Sequence, residues 1–109
     1  MANTFKLKTK ANVGVTTVGI YTAHAATTTV VIGITLANTS GSGVNVGVGI
    51  TRAGTTEDVK LLKNAPIPQG SSLEFMGGNK VVLETTDTLT VDSDTNNSVD
   101  AALTIMEIT

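Results

Sequence analysis

Apolar and polar residues alternate with a period of two along most of this chain, which is the pattern of half-buried β-strands. The two clearest runs lie on either side of residues 38–43, a connector of polar residues and glycine. Two such runs joined by about six turn-forming residues predict an antiparallel hairpin. Its apolar face predicts one side of a core, formed by Val30, Ile32, Ile34, Leu36, Val44, Val46, Val48 and Ile50.

Shorter runs predict further strands over residues 5–10, 18–21, 72–76, 80–84, 88–92 and 99–105. Residues 59–63 fit either a strand or one helical turn. Residues 64–70 are predicted to be irregular, because Pro66 and Pro68 cannot donate to a ladder of hydrogen bonds. The Gly-Gly-Asn sequence at residues 77–79 predicts a hairpin connection between the strands on either side of it.

Seven to nine short strands, with turn signals every eight to twelve residues, are typical of a β-sandwich. Threonine and valine are the commonest residues, and both favour strands over helices. We therefore predict an all-β chain in which residues 1–109 form a single antiparallel β-sandwich. The strand count fits either a jelly-roll-like or an immunoglobulin-like arrangement.

The charge of the chain disfavours several partners. Charged residues make up 15% of the sequence and the formal net charge is -2, whereas a nucleic-acid-binding face needs clustered Lys and Arg. The one local basic run is Lys6, Lys8 and Lys10. No apolar stretch of about 18 residues is present to span a membrane, and no apolar core of a signal peptide is visible. We expect neither nucleic acid nor membrane as a partner, and synthesis in the cytoplasm.

Residue types that carry chemistry are scarce. Without cysteine the chain has no disulfide and no zinc–thiolate site. His24 is the single histidine, and a catalytic base would need a nucleophile and an orienting acid near it. We interpret His24 as a loop residue and predict no catalytic residue.

Residues 92–97 place oxygen side chains at the first, third and fifth positions, as the opening of an EF-hand calcium loop does. Asn97 stands where such a loop has glycine, and Leu103 stands where it has glutamate. We therefore interpret this segment as a turn and predict neither a metal site nor a cofactor.

Glycines on one strand suggest a place where another subunit approaches. Gly47 and Gly49 fall on the outward positions of an alternating strand, so little side chain covers that face. The last strand is apolar on both sides, and such a strand is either central or covered by a neighbour. These two features predict a subunit interface formed by Gly33, Asn45, Gly47, Gly49, Met106 and Ile108.

Residues 62–91 carry a Lys-Asn-Ala-Pro-Ile-Pro segment, a Gly-Ser-Ser-Leu-Glu strand, a Gly-Gly turn and Lys-Val-Val-Leu-Glu. This stretch resembles short virion structural proteins of tailed phages, notably phages of marine cyanobacteria. The end of the chain, residues 99–108, is similar to the same group, and so is the front around Phe5 and residues 18–22. Thr86 stands where the pattern usually has glycine, so the turn there differs in type.

The resemblance implies a non-enzymatic virion protein. The leading expectation is a capsid decoration or cement protein that binds the major capsid protein as a symmetric homo-oligomer, with a trimer as the simplest form. The alternatives are a neck or tail subunit of the virion, or a receptor- or carbohydrate-binding module. The last is disfavoured because the chain has no Trp and a single Tyr to stack on sugar rings.

Overall fold

Nine β-strands make up most of the chain that the computed structural model describes, namely residues 3–54, 57–75 and 80–109. The strands are β1 (Asn3–Val13), β2 (Val18–Thr22), β3 (Thr28–Asn38), β4 (Val44–Arg52), β5 (Glu57–Ile67), β6 (Ser72–Phe75), β7 (Val81–Leu83), β8 (Asp87–Ser93) and β9 (Val99–Ile108). In these ranges the chain forms no helix that is long and apolar enough to cross a membrane.

The strands form two antiparallel sheets. Sheet A has the order β1-β9-β3-β6, with β7 also paired to β3, and sheet B has the order β2-β8-β4-β5. The pairs are nested, because β1 pairs with β9, β2 with β8, β3 with β6 and β7, and β4 with β5. A chain folded back on itself in this way and then rolled gives a jelly roll. The all-β sandwich prediction is confirmed, and the strand order is the jelly-roll one of its two alternatives.

The predicted hairpin between β3 and β4 is wrong. β3 pairs with β9 in sheet A, whereas β4 lies between β8 and β5 in sheet B. The connector crosses between the sheets, and the Asn38 side-chain amide holds it by donating to the carbonyls of Ser42 at 2.8 Å and Ile67 at 2.9 Å. Two alternating strands bury their apolar faces equally well when they face each other across a core, so alternation did not identify the partner.

The predicted core row is correct in β4 and wrong in half of β3. All four β4 residues of the row are buried, as are Ile34 and Leu36. Val30 and Ile32 are half-buried instead, and Val31 is fully buried. The register of β3 against β9 shifts between Val31 and Gly33, and this β-bulge exchanges the inward and outward positions.

The segment with two prolines is also more regular than predicted. Residues 57–67 form one strand, β5, in which Pro66 pairs with Asn45. β5 is an edge strand of sheet B, and an edge accommodates a residue that lacks an N–H.

The predicted hairpin around residues 77–79 is wrong as a pairing. β6 and β7 are each antiparallel to β3, so they run in the same direction as each other. They lie one after the other along β3 and form an interrupted edge of sheet A. The Gly-Gly-Asn turn itself lies outside the described residues.

Both sheets contribute their inward rows to one core. From sheet A the fully buried residues include Leu36, Leu83, Leu103 and Ile105, and from sheet B they include Val46, Val48, Leu89 and Val91. In β9 every second residue from Val99 to Ile105 is buried.

Candidate interaction surfaces

Four apolar side chains line up across the outward face of sheet A. Phe5 in β1 pairs with Met106 in β9, which pairs with Val30 in β3, which pairs with Val82 in β7. Cross-strand partners lie side by side on the same face of a sheet, so these four residues form a continuous apolar row. Phe5 is 68% exposed and Val82 is 54% exposed.

Further apolar residues flank the apolar row. Leu7, which is 65% exposed, pairs with Thr104 on the same face. Ile108 lies on the other side of the row, opposite Asn3. The outward face of sheet A therefore presents large apolar side chains to its surroundings over three neighbouring positions of β1 and β9.

The outward face of sheet B has a different composition. Thr22 and Thr88 face each other there, and their hydroxyl oxygens are 2.8 Å apart. Thr51 on β4 pairs with Thr88 on one side and Asp58 on the other. This face is made largely of hydroxyl groups, glycine and a few charged side chains.

The glycines predicted to lie on a bare face are covered by their own chain. A Cβ at Gly49 would lie 2.9 Å from the carbonyl oxygen of Val59, and one at Gly47 would lie 2.6 Å from Oδ1 of Asp92. Both glycines are buried, because β5 and β8 flank β4 on its two sides. Glycine is needed here so that β5 and the side chains of β8 can approach closely.

The six predicted interface residues lie on two opposite faces. Gly33, Met106 and Ile108 belong to the outward face of sheet A, and Asn45, Gly47 and Gly49 belong to that of sheet B. The six residues therefore do not form one continuous surface. Whether any of them contacts another subunit stays a prediction.

A groove opens between the edges of the two sheets on the side of β5 and β7. Its volume is about 510 Å³, and it is lined by Thr28, Ile50, Arg52, Glu57, Val59, Val82, Glu84 and Asp87. Arg52 donates to Glu84 at 2.6 Å and lies 3.3 Å from a carboxylate oxygen of Asp87. The Arg52 guanidinium is thus paired with two carboxylates, and Glu57 adds a third carboxylate to the lining, so the groove carries more acidic than basic groups.

An ionic cluster around the buried carboxylate of Glu107 lies between the sheets. Glu107, which is 5% exposed, accepts hydrogen bonds from the Lys6 ammonium at 2.8 Å and the Tyr21 hydroxyl at 2.6 Å. The Tyr21 hydroxyl is also 2.8 Å from that of Thr29, and His24 Nε2 is 3.9 Å from Glu107. The hydrogen bonds from Lys6 and Tyr21 lower the pKa of Glu107, while burial and the bond to Glu107 raise the pKa of Tyr21.

Sequence reasoning missed this cluster, although one signal for it existed. Glu107 continues the inward row of Val99, Ala101, Leu103 and Ile105 at the same spacing of two. A carboxylate at an inward position needs a partner, because an unpaired buried charge is costly. Lys6 on the predicted first strand was the available cation, but its pairing with the last strand is not visible in the sequence.

Of the segment 92–97 that was interpreted as a turn, residues 94–97 form bends and a turn, whereas Asp92 and Ser93 belong to β8. Asp94 accepts a hydrogen bond from the backbone N–H of Asn45 at 3.2 Å, and Asn96 accepts one from that of Val15 at 3.2 Å. These side chains fasten neighbouring segments of backbone. In residues 3–54, 57–75 and 80–109 no group of three or more His, Asp or Glu side chains is placed to hold a metal ion.

His24 lies in the connection between β2 and β3, as predicted for a loop residue. Its ring meets that of Tyr21 edge-on, with the ring centres 6.0 Å apart. Its side chain is 65% exposed beside the ionic cluster. The neighbours of His24 are thus a phenol and a carboxylate that already bind each other.

No protein-family model matches the chain, and no curated protein sequence matches it either. Solved structures with the same fold include the acidic stable capsid of Helicobacter pylori bacteriophage KHP30. That likeness has a TM-score of 0.59 at 9% identity and covers 98% of this chain and 87% of that chain.

A second similar structure comes from Bacillus endospore appendages, a family of disulfide-linked pili, with a TM-score of 0.57 at 16% identity over 99% of this chain and 87% of that chain. A third is from infectious bursal disease virus strain Gx, with a TM-score of 0.52 at 12% identity over 95% of this chain. This chain spans 32% of that longer protein. At these identities the likeness shows a shared fold. The similar chains belong to capsids and pili, not to enzymes, and the resemblance to phages of marine cyanobacteria stays a prediction.

Proposed function

We propose that this chain is a non-enzymatic structural protein of a virion, and specifically a decoration or cement protein on the outside of a phage head. Its partner on the head is the major capsid protein. The observation that carries this proposal is the apolar row on the outward face of sheet A.

The physical argument concerns what covers that row. Isolated apolar residues are common on protein surfaces, but a contiguous exposed patch marks an interaction site. Phe5, Leu7 and Val82 are each more than half exposed on one face, whereas the opposite face of the sandwich carries threonine and glycine. Burying a row of large apolar side chains against a partner is favourable, because it removes apolar surface from water. Sheet A therefore faces the capsid and sheet B faces the solvent.

The similar structures support the class of protein. Jelly rolls of a phage capsid, a virus and a pilus share this fold, and all three are assemblies of many subunits. A subunit present in many symmetric copies binds firmly through modest patches, because several weak contacts act together. We propose a symmetric homo-oligomer on the head for the same reason.

Cryo-electron microscopy of purified particles of the virus that encodes this chain tests the proposal. We expect density for the jelly roll on the outside of the head, with the apolar row against the capsid and the threonines of sheet B toward solvent. Particles without density for the chain would contradict the virion role. Density with sheet B against the capsid would contradict the assigned face.

A further inference from the structure

The first part of β1, residues 3–10, is attached to the rest of the molecule mainly by backbone pairing. It pairs with β9 along one side, and no strand in the described ranges pairs with its other side. Every residue in it is exposed except Lys8, which is half-buried. A strand that buries so few side chains separates at a low cost, because local opening is easiest where little apolar surface is buried. We refer to residues 3–10 as the arm.

One side chain of the arm has a buried partner. The Lys6 ammonium lies 2.8 Å from a carboxylate oxygen of Glu107, which is buried in β9. A buried carboxylate that loses its cation is costly, so the β9 edge requires a strand with an ammonium at this position. The arm of a second copy carries the same lysine at the same place and meets that requirement through the same contacts.

The arm ends at an irregular point of the backbone, which we refer to as the hinge. The register of β1 against β9 shifts between Lys10 and Val13, so Ala11 and Asn12 fall outside the regular ladder. Asn12 has a φ of 59°, a left-handed conformation that asparagine adopts more easily than most residues but at a cost compared with glycine. Its N–H donates to the exposed carboxylate of Asp100 at 3.0 Å, and water can replace that partner. An extended hinge would release the cost and direct the arm away from its own β9.

Beyond the hinge the chain is fixed to the sandwich. Val13 is buried, and its carbonyl accepts a hydrogen bond from the N–H of Ser98 at 3.1 Å. The carbonyl of Gly14 accepts one from the N–H of Ser93 at 2.9 Å. An arm that turns at the hinge therefore leaves the core of its own copy in place.

The arm is long enough to reach a neighbouring copy. Its eight residues span about 26 Å as an extended strand, at about 3.3 Å per residue. The whole molecule measures 45 × 27 × 22 Å, so a second copy beside the β1 edge of the first lies within reach. Pairing in the native register would set Phe5 of one copy beside Met106 of the other, and the apolar row would be kept.

We propose that copies of this chain exchange their arms, so that residues 3–10 of one copy pair with β9 of another and Lys6 of one copy neutralises Glu107 of the other. Exchange of an identical element is a low-cost route to association, because the contacts within one copy are made again between copies. Every β9 edge is filled when the exchange is reciprocal between two copies or passes around a closed ring. The inference goes beyond the proposed function, because it concerns the purified chain and requires no capsid.

Disulfide trapping tests the proposal in a chain that has no cysteine of its own. Thr9 in the arm pairs with Ala102 in β9, so cysteines at these two positions are close enough for a disulfide. Thr9→Cys is mixed with Ala102→Cys under reducing conditions, and the mixture is then oxidised. Thr51→Cys mixed with Thr88→Cys is the control, because these two residues pair in the same manner between central strands of sheet B.

Circular dichroism and thermal melting first establish that each variant is folded. By intact-mass spectrometry we expect the mixed dimer of Thr9→Cys and Ala102→Cys well above the share that random cross-linking gives, because the arm of one copy pairs with β9 of the other. The control mixture should show no such excess. If the two mixtures yield the same share of mixed dimer, the proposal is overturned.

The hinge provides a second measurement, made on the variant that carries both Thr9→Cys and Ala102→Cys. Its disulfide closes within one chain when the arm lies on its own β9 and joins two chains when the arm is exchanged. Asn12→Gly permits a positive φ, whereas Asn12→Val opposes it. We expect the share of chains joined to each other to rise about fivefold or more from Asn12→Gly to Asn12→Val. Equal shares, or closure within one chain in both, would contradict exchange at this hinge.

Discussion

The two outward faces of the sandwich have the same scaffold and opposite chemistry. Sheets A and B each pack an inward row of Leu, Ile and Val residues into the shared core. Outward, sheet A carries Phe5, Met106, Val30 and Val82 in one row, whereas sheet B carries threonine and glycine at corresponding positions of its central strands. The shared core explains why the chain folds, and the difference between the faces is the basis of the proposal that sheet A binds the capsid.

The glycines of the two sheets also differ in how much space surrounds them. At Gly47 and Gly49 the absent side chain leaves room for neighbouring strands of the same molecule. At Gly33 on sheet A the nearest atom to an added Cβ would be 3.8 Å away, at the carbonyl oxygen of Phe75. Neighbouring residues of the same chain therefore cover the glycine positions of β4 in sheet B, whereas the position of Gly33 in sheet A is open.

The largest effect is expected for the core that both faces share. Replacing Ile34, which is 2% exposed, by alanine should lower the free energy of unfolding by about 2–5 kcal/mol. The same change at Ile32, on the other side of the bulge in β3, should cost about 1 kcal/mol or less because that side chain is half-buried. Urea unfolding of both variants measures the difference. Equal losses at the two positions would show that the bulge is misplaced.

A smaller effect should separate the glycines of the two sheets. Gly49→Ala should cost about 1–3 kcal/mol, because the new Cβ would press on the carbonyl of Val59 at 2.9 Å. Gly33→Ala should change stability by less than about 1 kcal/mol, and in the stabilising direction, because the site is open and alanine restricts the unfolded chain. If thermal melting finds Gly33→Ala the more damaging of the two, the assignment of the closed and open faces is reversed.

The ionic cluster gives a prediction about pH, since it fastens β1 and β9 of sheet A to Tyr21 of sheet B. The pKa of Glu107 is lower in the folded chain than in the unfolded chain, so its stabilisation is present above about pH 4.3 and is lost as the pH falls through the folded pKa. Glu107→Gln should therefore cost about 1–2 kcal/mol at pH 7 and progressively less toward pH 3.

The control for that measurement is Glu74→Gln, an exposed carboxylate on β6. Its unfolding free energy should follow that of wild type at every pH. A difference between wild type and Glu107→Gln that stays constant from pH 7 to about pH 3 would contradict the role of the Glu107 charge.

The sequence shows which residues of a strand face the core, but it does not show which strands pair with each other. Alternation located the inward row of β4 correctly, because burial of one face requires a period of two whatever strand lies alongside. It did not show that β3 and β4 belong to different sheets or that β6 and β7 share one neighbour. Those pairings join residues far apart in the chain, and alternation carries no record of them.

The misjudged parts of the surface have a similar cause. The bulge between Val31 and Gly33 is one extra residue, which no turn signal announces, and it moved Val30 and Ile32 out of the predicted core. Gly47 and Gly49 suggested a bare face because the sequence does not reveal that β4 is flanked on both sides. Met106 and Ile108 lie on the outward face of sheet A, as expected from the apolar residues on both sides of β9.

The central claim, that sheet A binds the capsid and sheet B does not, is tested most directly by two matched variants. Thr104 and Thr51 are exposed threonines on central strands of the two opposite faces. Replacing either by lysine should change the unfolding free energy by no more than about 0.5 kcal/mol. The amount of each variant that remains on purified virus particles is then compared with wild type. We predict that Thr104→Lys is lost from the particles while Thr51→Lys is retained, and retention of Thr104→Lys together with loss of Thr51→Lys would contradict the account.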